Sequence, residues 1–431
     1  MRNYRLVLPI ATVCALAVAA TPALGATYKP DSSFGSRGVV TTTMKGVSLN
    51  VYGAVAVSGG KVVVAGQSYT SKGVTQVIVA RYLKNGKLDR SFATRGIYKS
   101  SLPSKSGPYV ARAVGVQPGT GKLVVAGGYG QGSILVMRLT SSGKVDKSFG
   151  PKGNGMVTSP AGDIGGALAF GSDGSIFVGS SNQNLNGRPY VVAGFTASGA
   201  PNTSFGNGGL VQLIFWDPAS ASSAGLSNLA VTGDGKLIGS GHLDYIGGGG
   251  HGSAGVFRLT SSGQLDPSFG TSGHVELAHP DASGVLPFWW PAGMVIDSAG
   301  RITITGDGTG VASKSKGAVR TVRITAGGQP DTSFGPSGDG WVVTDGVSDG
   351  SQPLAGAAST AGGGLAVGIG NWMLGLTSSG SADKQFGSSG YFKISRPKGV
   401  DIEALLTGSS GKTLLGAGSA GKALYLIRYK N

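Results

Sequence analysis

The sequence predicts an all-β chain folded as a seven-bladed β-propeller, with four-stranded antiparallel blades and a ring closed by an N-terminal strand that joins the C-terminal blade. Three observations predict it: a motif that recurs seven times, short apolar segments divided by glycine turns, and chain ends that read as two parts of one blade. Repeats at a period of 40–60 residues with hairpin-linked strands are the mark of propeller blades.

The motif runs Asp31-Ser-Ser-Phe34, Asp89-Arg-Ser-Phe92, Asp146-Lys-Ser-Phe149, Asn202-Thr-Ser-Phe205, Asp266-Pro-Ser-Phe269, Asp331-Thr-Ser-Phe334 and Asp383-Lys-Gln-Phe386, its phenylalanines spaced by 58, 57, 56, 64, 65 and 52 residues. The phenylalanines are expected to pack between blades, where a large aromatic buries most area. The Asp or Asn is expected to cap its own turn through the side-chain oxygen. Eight residues before the motif Asp stand Arg81, Arg138, Arg258 and Arg323, with Arg428 in the same relation to Asp31 across the chain ends. An Arg–Asp ion pair within each blade is therefore expected. Gly194 and Gly375 replace the arginine in two units, and only the first of these has also lost the acid, at Asn202.

Taken in order, residues 1–25 read as a secretory signal peptide: basic Arg2 and Arg5, an apolar stretch from Leu6 to Ala20, and small residues around Gly25 for cleavage. The only cysteine, Cys14, lies within it, so the mature chain, residues 26–431, has no disulfide and no thiolate site. Pro30 to Gly35 and Val39 to Thr43 then supply a motif and one strand without the three strands that precede them elsewhere. The first full unit shows apolar segments at Val51 to Val57, Lys61 to Ala65, Gln76 to Leu83 and Gly96 to Ser100, separated by turns such as Gly59-Gly60 and Asn85-Gly86. Glycine suits these turns because primed hairpins need positive φ. The chain stops at Ile427-Arg428-Tyr429-Lys430-Asn431, which aligns with a third strand. Its missing fourth strand is the one at the N-terminus.

The run Arg258-Leu-Thr-Ser-Ser-Gly263-Gln-Leu-Asp266-Pro-Ser-Phe269-Gly270 resembles the bacterial delta-60 repeat family, a β-propeller family of undefined function. The resemblance covers essentially the whole mature chain and departs from the pattern at Ala93, Asn202 and Gln385. It implies the fold and export, and no catalytic residue.

The formal charge of +16 arises from basic residues spread along the sequence rather than gathered in one run, so a solvated cationic surface is expected and nucleic acid is not. No segment reaches the length of a membrane span. Phosphate loops, nucleophile elbows and zinc-protease helices are absent from the sequence. No cofactor is called for, and a monomer is expected.

The variable loops, between second and third strands and between blades, should share one face. Phe215-Trp216-Asp217, His242-Leu-Asp244-Tyr245, His251, His279 and Phe288-Trp289-Trp290 fall there. Trp216, Asp217, His242, Asp244, Tyr245, His279, Trp289 and Trp290 are the candidate ligand-binding residues, for a carbohydrate or a protein. The competing reading is that the aromatics plug the channel mouth or cover a blade. His242, His251, His279 and Asp244 lack metal-ligand spacing, and no metal is expected. A non-catalytic secreted or envelope-associated module is the leading expectation, with a polysaccharide hydrolase or lyase as the alternative. Asp307, Asp339, Asp345 and Asp349 are read as turn formers.

Overall fold

The computed structural model describes residues 27–70, 75–100, 109–130, 132–159, 162, 166–182, 188–216, 221–245, 252–279, 288–309, 318–347, 354–394, 400–408 and 410–431. The predicted signal peptide lies outside them. The described residues form seven antiparallel sheets, each ordered as a meander from first strand to fourth.

Blade 1 consists of Val47–Val57, Lys61–Thr70, Thr75–Tyr82 and Ile97–Lys99, so its first two strands run longer than the apolar segments that predicted them. Blade 2 is Tyr109–Val116, Leu123–Tyr129, Ser133–Leu139 and Met156–Ser159. Blade 3 is Ala167–Phe170, Ile176–Ser181, Tyr190–Phe195 and Leu210–Leu213. Blade 4 is Ala221–Val231, Leu237–Tyr245, Gly252–Leu259 and His274–Leu277. Blade 5 is Phe288–Ile296, Ile302–Thr309, Ala318–Ile324 and Trp341–Asp345. Blade 6 is Leu354–Ser359, Leu365–Ile369, Trp372–Leu376 and Tyr391–Lys393. The first strands pack against one another in turn around a central axis, blade 7 against blade 1 included.

Blade 7 joins the two ends of the chain. Asp401–Thr407, Thr413–Ala420 and Ala423–Lys430 supply three strands, and Val39–Thr43 pairs antiparallel with the last of them, Val39 opposite Ile427 and Val40 opposite Leu426. Lys29–Pro30 extends the pairing to Lys430 and Tyr429. Closure in this register leaves no unpaired edge at the seam.

The repeated motif builds an interblade latch. Its Asp Oδ1 accepts from the backbone N–H and hydroxyl of the Ser two residues on, at 3.1 and 2.7 Å for Asp266 and Ser268. Its Oδ2 accepts from the arginine Nε at 2.7–2.9 Å in five blades, as predicted. The same guanidinium covers the motif phenylalanine at 4.2–4.9 Å from the ring centroid. Its Nη1 donates to a carbonyl in the next blade: Arg138 to Ala197, Arg258 to Ala326, Arg428 to Lys84. A second cation from the start of the second strand reaches the carboxylate in four blades, Lys61, Lys122, Lys236 and Arg301. The phenylalanines are buried, and the next blade's turn glycine lies against Phe34, Phe92, Phe149, Phe205 and Phe334: a Cβ on Gly143 would sit 2.7 Å from Phe92.

Two blades lack the arginine, and each fills the space with an aromatic ring. In blade 3, Phe177 packs edge-on against Phe205 at 5.0 Å, and Gly194 leaves room for that ring. In blade 6, Tyr28 lies on Phe386 at 4.7 Å and donates its hydroxyl to the Gly411 carbonyl of blade 7 at 2.8 Å. Its backbone N–H bonds the carbonyl of Gln385, whose side chain accepts from Asn431 Nδ2 at the other chain end. The departures at Gly375 and Gln385 thus sit where both ends of the polypeptide dock.

Candidate functional site

Four antiparallel strands per blade put the start of each first strand and the end of each second strand on one face of the ring. Trp290, at the start of the first strand of blade 5, and His242 and Asp244, near the end of the second strand of blade 4, therefore meet at the junction of those blades. The Trp290 indole N–H donates to Asp244 Oδ1 at 3.4 Å, and its ring lies 5.5 Å from that of His242. Tyr190 of blade 3 donates to the His242 carbonyl at 3.0 Å, and Gly225 makes room for the imidazole, since a Cβ there would lie 2.3 Å from it. Burial pushes the His242 imidazole down to about 4, so it is neutral at physiological pH.

The aromatic face is smaller than the sequence predicts. Trp290 is 51% exposed, whereas Trp216 and Trp289 retain only 8% and 2% of their surface. Trp216 packs edge-on against Tyr190 at 5.1 Å in the core between blades 3 and 4. Trp289 packs against Trp341 at 5.1 Å, over Gly306, in the core between blades 4 and 5. Strand alternation explains the difference, because Trp289 and Trp290 are neighbours and point to opposite sides. Trp216 and Trp289 are thus corrected from ligand contacts to blade-covering core residues. His279 also stands apart from His242: it packs on Trp341 at 4.8 Å, with Arg320 Nη1 3.3 Å from its Nδ1 and Asp339 Oδ2 3.9 Å from its Nε2. Asp217, His251 and the side chains of Tyr245 and Phe288 lie outside the described residues. Among the described residues no three His, Cys, Asp or Glu side chains gather as a metal site.

Sequence reasoning missed Glu403. Six first strands carry a bulge at an equivalent place, and in blades 2 and 7 it falls between Ala111 and Ala113 and between Ile402 and Ala404. The extra residues there are Arg112 and Glu403. Glu403 accepts from Ser419 Oγ at 3.2 Å and faces the Val51 backbone N–H of blade 1. Burial, with the Asp401 charge nearby, pushes its carboxyl up to about 7, against the pull of those hydrogen bonds and of Arg112. No residue pattern announces this, since it follows from the bulge and from the closure seam.

Four segments, residues 60–92, 119–149, 232–269 and 300–334, match a family described as a domain of unknown function (DUF5122) β-propeller. The chain is a seven-bladed β-propeller in which those four segments match the DUF5122 family. Each of the four matched segments ends on a motif phenylalanine and so includes the arginine and aspartate of the latch. No curated protein matches the sequence. Among solved structures, a catalytically inactive virginiamycin B lyase from Staphylococcus aureus, with quinupristin, is similar at 13% identity and a TM-score of 0.50, over 91% of this chain and 99% of that one. A chain of the mitotic checkpoint complex is similar at 12% identity and a TM-score of 0.51, over 100% and 99%. At such identities the likeness is one of fold. No helix among the described residues is long and apolar enough to cross a membrane.

Proposed function

We propose that this propeller is an exported, non-catalytic binding module that takes a carbohydrate at the junction of blades 4 and 5. One observation carries the reading: Trp290 presents half of its surface to solvent while Asp244 and His242 hold its ring in place. A rigid exposed ring beside a carboxylate suits a sugar, whose C–H face stacks on the indole while its hydroxyls bond the acid. The signal peptide read in residues 1–25 supports a setting outside the cytoplasm, where such polymers occur.

The test is a glycan array on the mature chain, followed by titration of the best binder against wild type and Trp290→Ala. The variant should bind at least about tenfold more weakly, as expected of a central aromatic anchor. No retained glycan, or equal binding by the variant, would refute the reading. Because Trp290 lies outside the buried core, its removal should leave the thermal midpoint unchanged.

A second reading, cleavage of a polysaccharide, is favoured by Glu403, since a carboxyl that titrates near neutrality can give or take a proton. Release of new chain ends from a retained polymer, abolished by Glu403→Gln, would support it. Retention without release leaves the binding module as the account.

A further inference from the structure

Eight of the basic residues share one arc of the molecule. The connection between third and fourth strands emerges on the face opposite Trp290, and consecutive connections are tied by backbone bonds, from Gly35 N–H to the Asn85 carbonyl and from Ala93 N–H to the Ser142 carbonyl. Blades 7, 1 and 2 thus present one continuous arc.

Blade 1 places Lys84, Lys87, Arg90 and Arg95 on that arc, all exposed. Blade 2 adds the exposed Lys144, Lys147 and Lys152, and blade 7 adds Arg37. None of these side chains forms an ion pair among the described residues. The equivalent connections of blades 3, 4 and 5, residues 196–209, 260–273 and 325–340, contain no lysine or arginine. The acids of the arc, Asp31, Asp89 and Asp146, are buried and occupied by their own arginines and lysines, so they offset the latch and not the surface. An open cleft crosses the seam between blades 7 and 1, with Ser33, Ser36, Arg37, Asn85 and Lys87 in its lining. Arg37 and Arg95 hold φ of 52° and 55° at turn apices where blade 3 has Gly208, so both charges are carried by residues in a conformation that favours glycine.

We infer that this arc is a binding surface for a linear acidic polysaccharide, distinct from the Trp290 site and on the opposite face. Successive uronate or sulfate groups along such a chain can meet cations from three neighbouring blades, and focused like charge raises local counter-ion concentration. Other polyanions fit less well. The aromatic residues of the arc, Phe34, Phe92 and Phe149, are buried, leaving no ring on which single-stranded bases could stack. The exposed large apolar side chains among the described residues, Ile214, Trp290 and Val343, lie outside the arc, which offers no apolar side chain to a bilayer. No helix or ribbon projects from it to read a duplex groove.

The test uses the mature chain against immobilised polygalacturonate, with neutral dextran, a DNA duplex and phosphatidylglycerol vesicles in parallel. Two triple variants of equal charge are compared. Lys87→Gln, Arg90→Gln and Lys147→Gln remove cations from the arc; Lys45→Gln, Lys393→Gln and Lys422→Gln remove exposed cations from the other face. The arc variant should weaken polygalacturonate binding at least about tenfold and flatten its dependence on salt, while the control should change it by less than about twofold. Equal losses in the two variants, no binding at low salt, or tighter capture of duplex or vesicles than of polygalacturonate would each overturn the inference. Trp290→Ala should leave this binding unchanged, which separates it from the sugar site.

Discussion

A single carboxylate organises the turn of every blade but the third, where Asn202 takes its place. Asp266 is held well below the usual carboxylate range by hydrogen bonds from Lys236 and Ser268, against the opposing effect of burial, and with the Arg258 charge adding to the pull. Such a carboxylate stabilises the fold fully above its unfolded value near 4, and its contribution is lost as pH falls through the lowered folded value. Glu403 has the opposite sign. Its folded value is raised to about 7, so its contribution is complete below the unfolded value near 4.5 and is lost as pH rises through neutrality. Melting curves of wild type and Glu403→Gln should therefore differ little at pH 5 and diverge toward pH 8, where the variant melts higher. A difference in melting temperature that is constant from pH 5 to 8 would contradict the assignment. Asp31, Asp89, Asp146, Asp266 and Asp331 do not interfere, because their lowered values keep them ionised throughout that range. The ion pair was legible from an eight-residue spacing. The cation–ring contact was not, because spacing alone does not show that the guanidinium lies over the phenylalanine of its own blade. The carbonyl of the next blade was not either, because it joins residues brought together only by the stacking of blades, 59 positions apart for Arg138 and Ala197.

The strands themselves were the most legible feature, because glycine turns punctuate short apolar segments wherever the backbone reverses. Their lengths were less so. Blade 1's second strand continues through Gly66-Gln67-Ser68 to Thr70, polar residues that sequence patterning excludes but that pair with the first strand as far as Val47. The aromatic loop segment was misjudged for a related reason: Phe288-Trp289-Trp290 is the start of a strand, and alternation buries Trp289 while exposing Trp290. The segment before the first strand has a structural task as well, since Tyr28 stands where five blades have a guanidinium. Tyr28→Ala should cost about 3 kcal/mol, the lower end for removing a buried aromatic, measured by urea unfolding. A loss under about 0.5 kcal/mol would mean that Tyr28 does not join blades 6 and 7.

At the scale of the molecule, seven wedges of unequal sequence make one ring whose two faces differ in chemistry. One carries the partly exposed Trp290; the other carries the cationic arc of blades 7, 1 and 2. The arc was invisible in sequence because a charge count does not say which residues share a face, nor that the nearby acids are already spent inside the latch. Both faces depend on the circle being closed by Val39–Thr43 against Ala423–Lys430. The most direct measurement of that closure is a cross-link between Val40→Cys and Leu426→Cys in residues 26–431, which contain no other cysteine. Directly opposed strand residues lie about 4.5–5.5 Å apart at Cα, within disulfide reach. Oxidation should give an intramolecular disulfide in nearly every monomer and a higher melting temperature. Persistent free thiols, or links formed only between molecules, would contradict the closed ring.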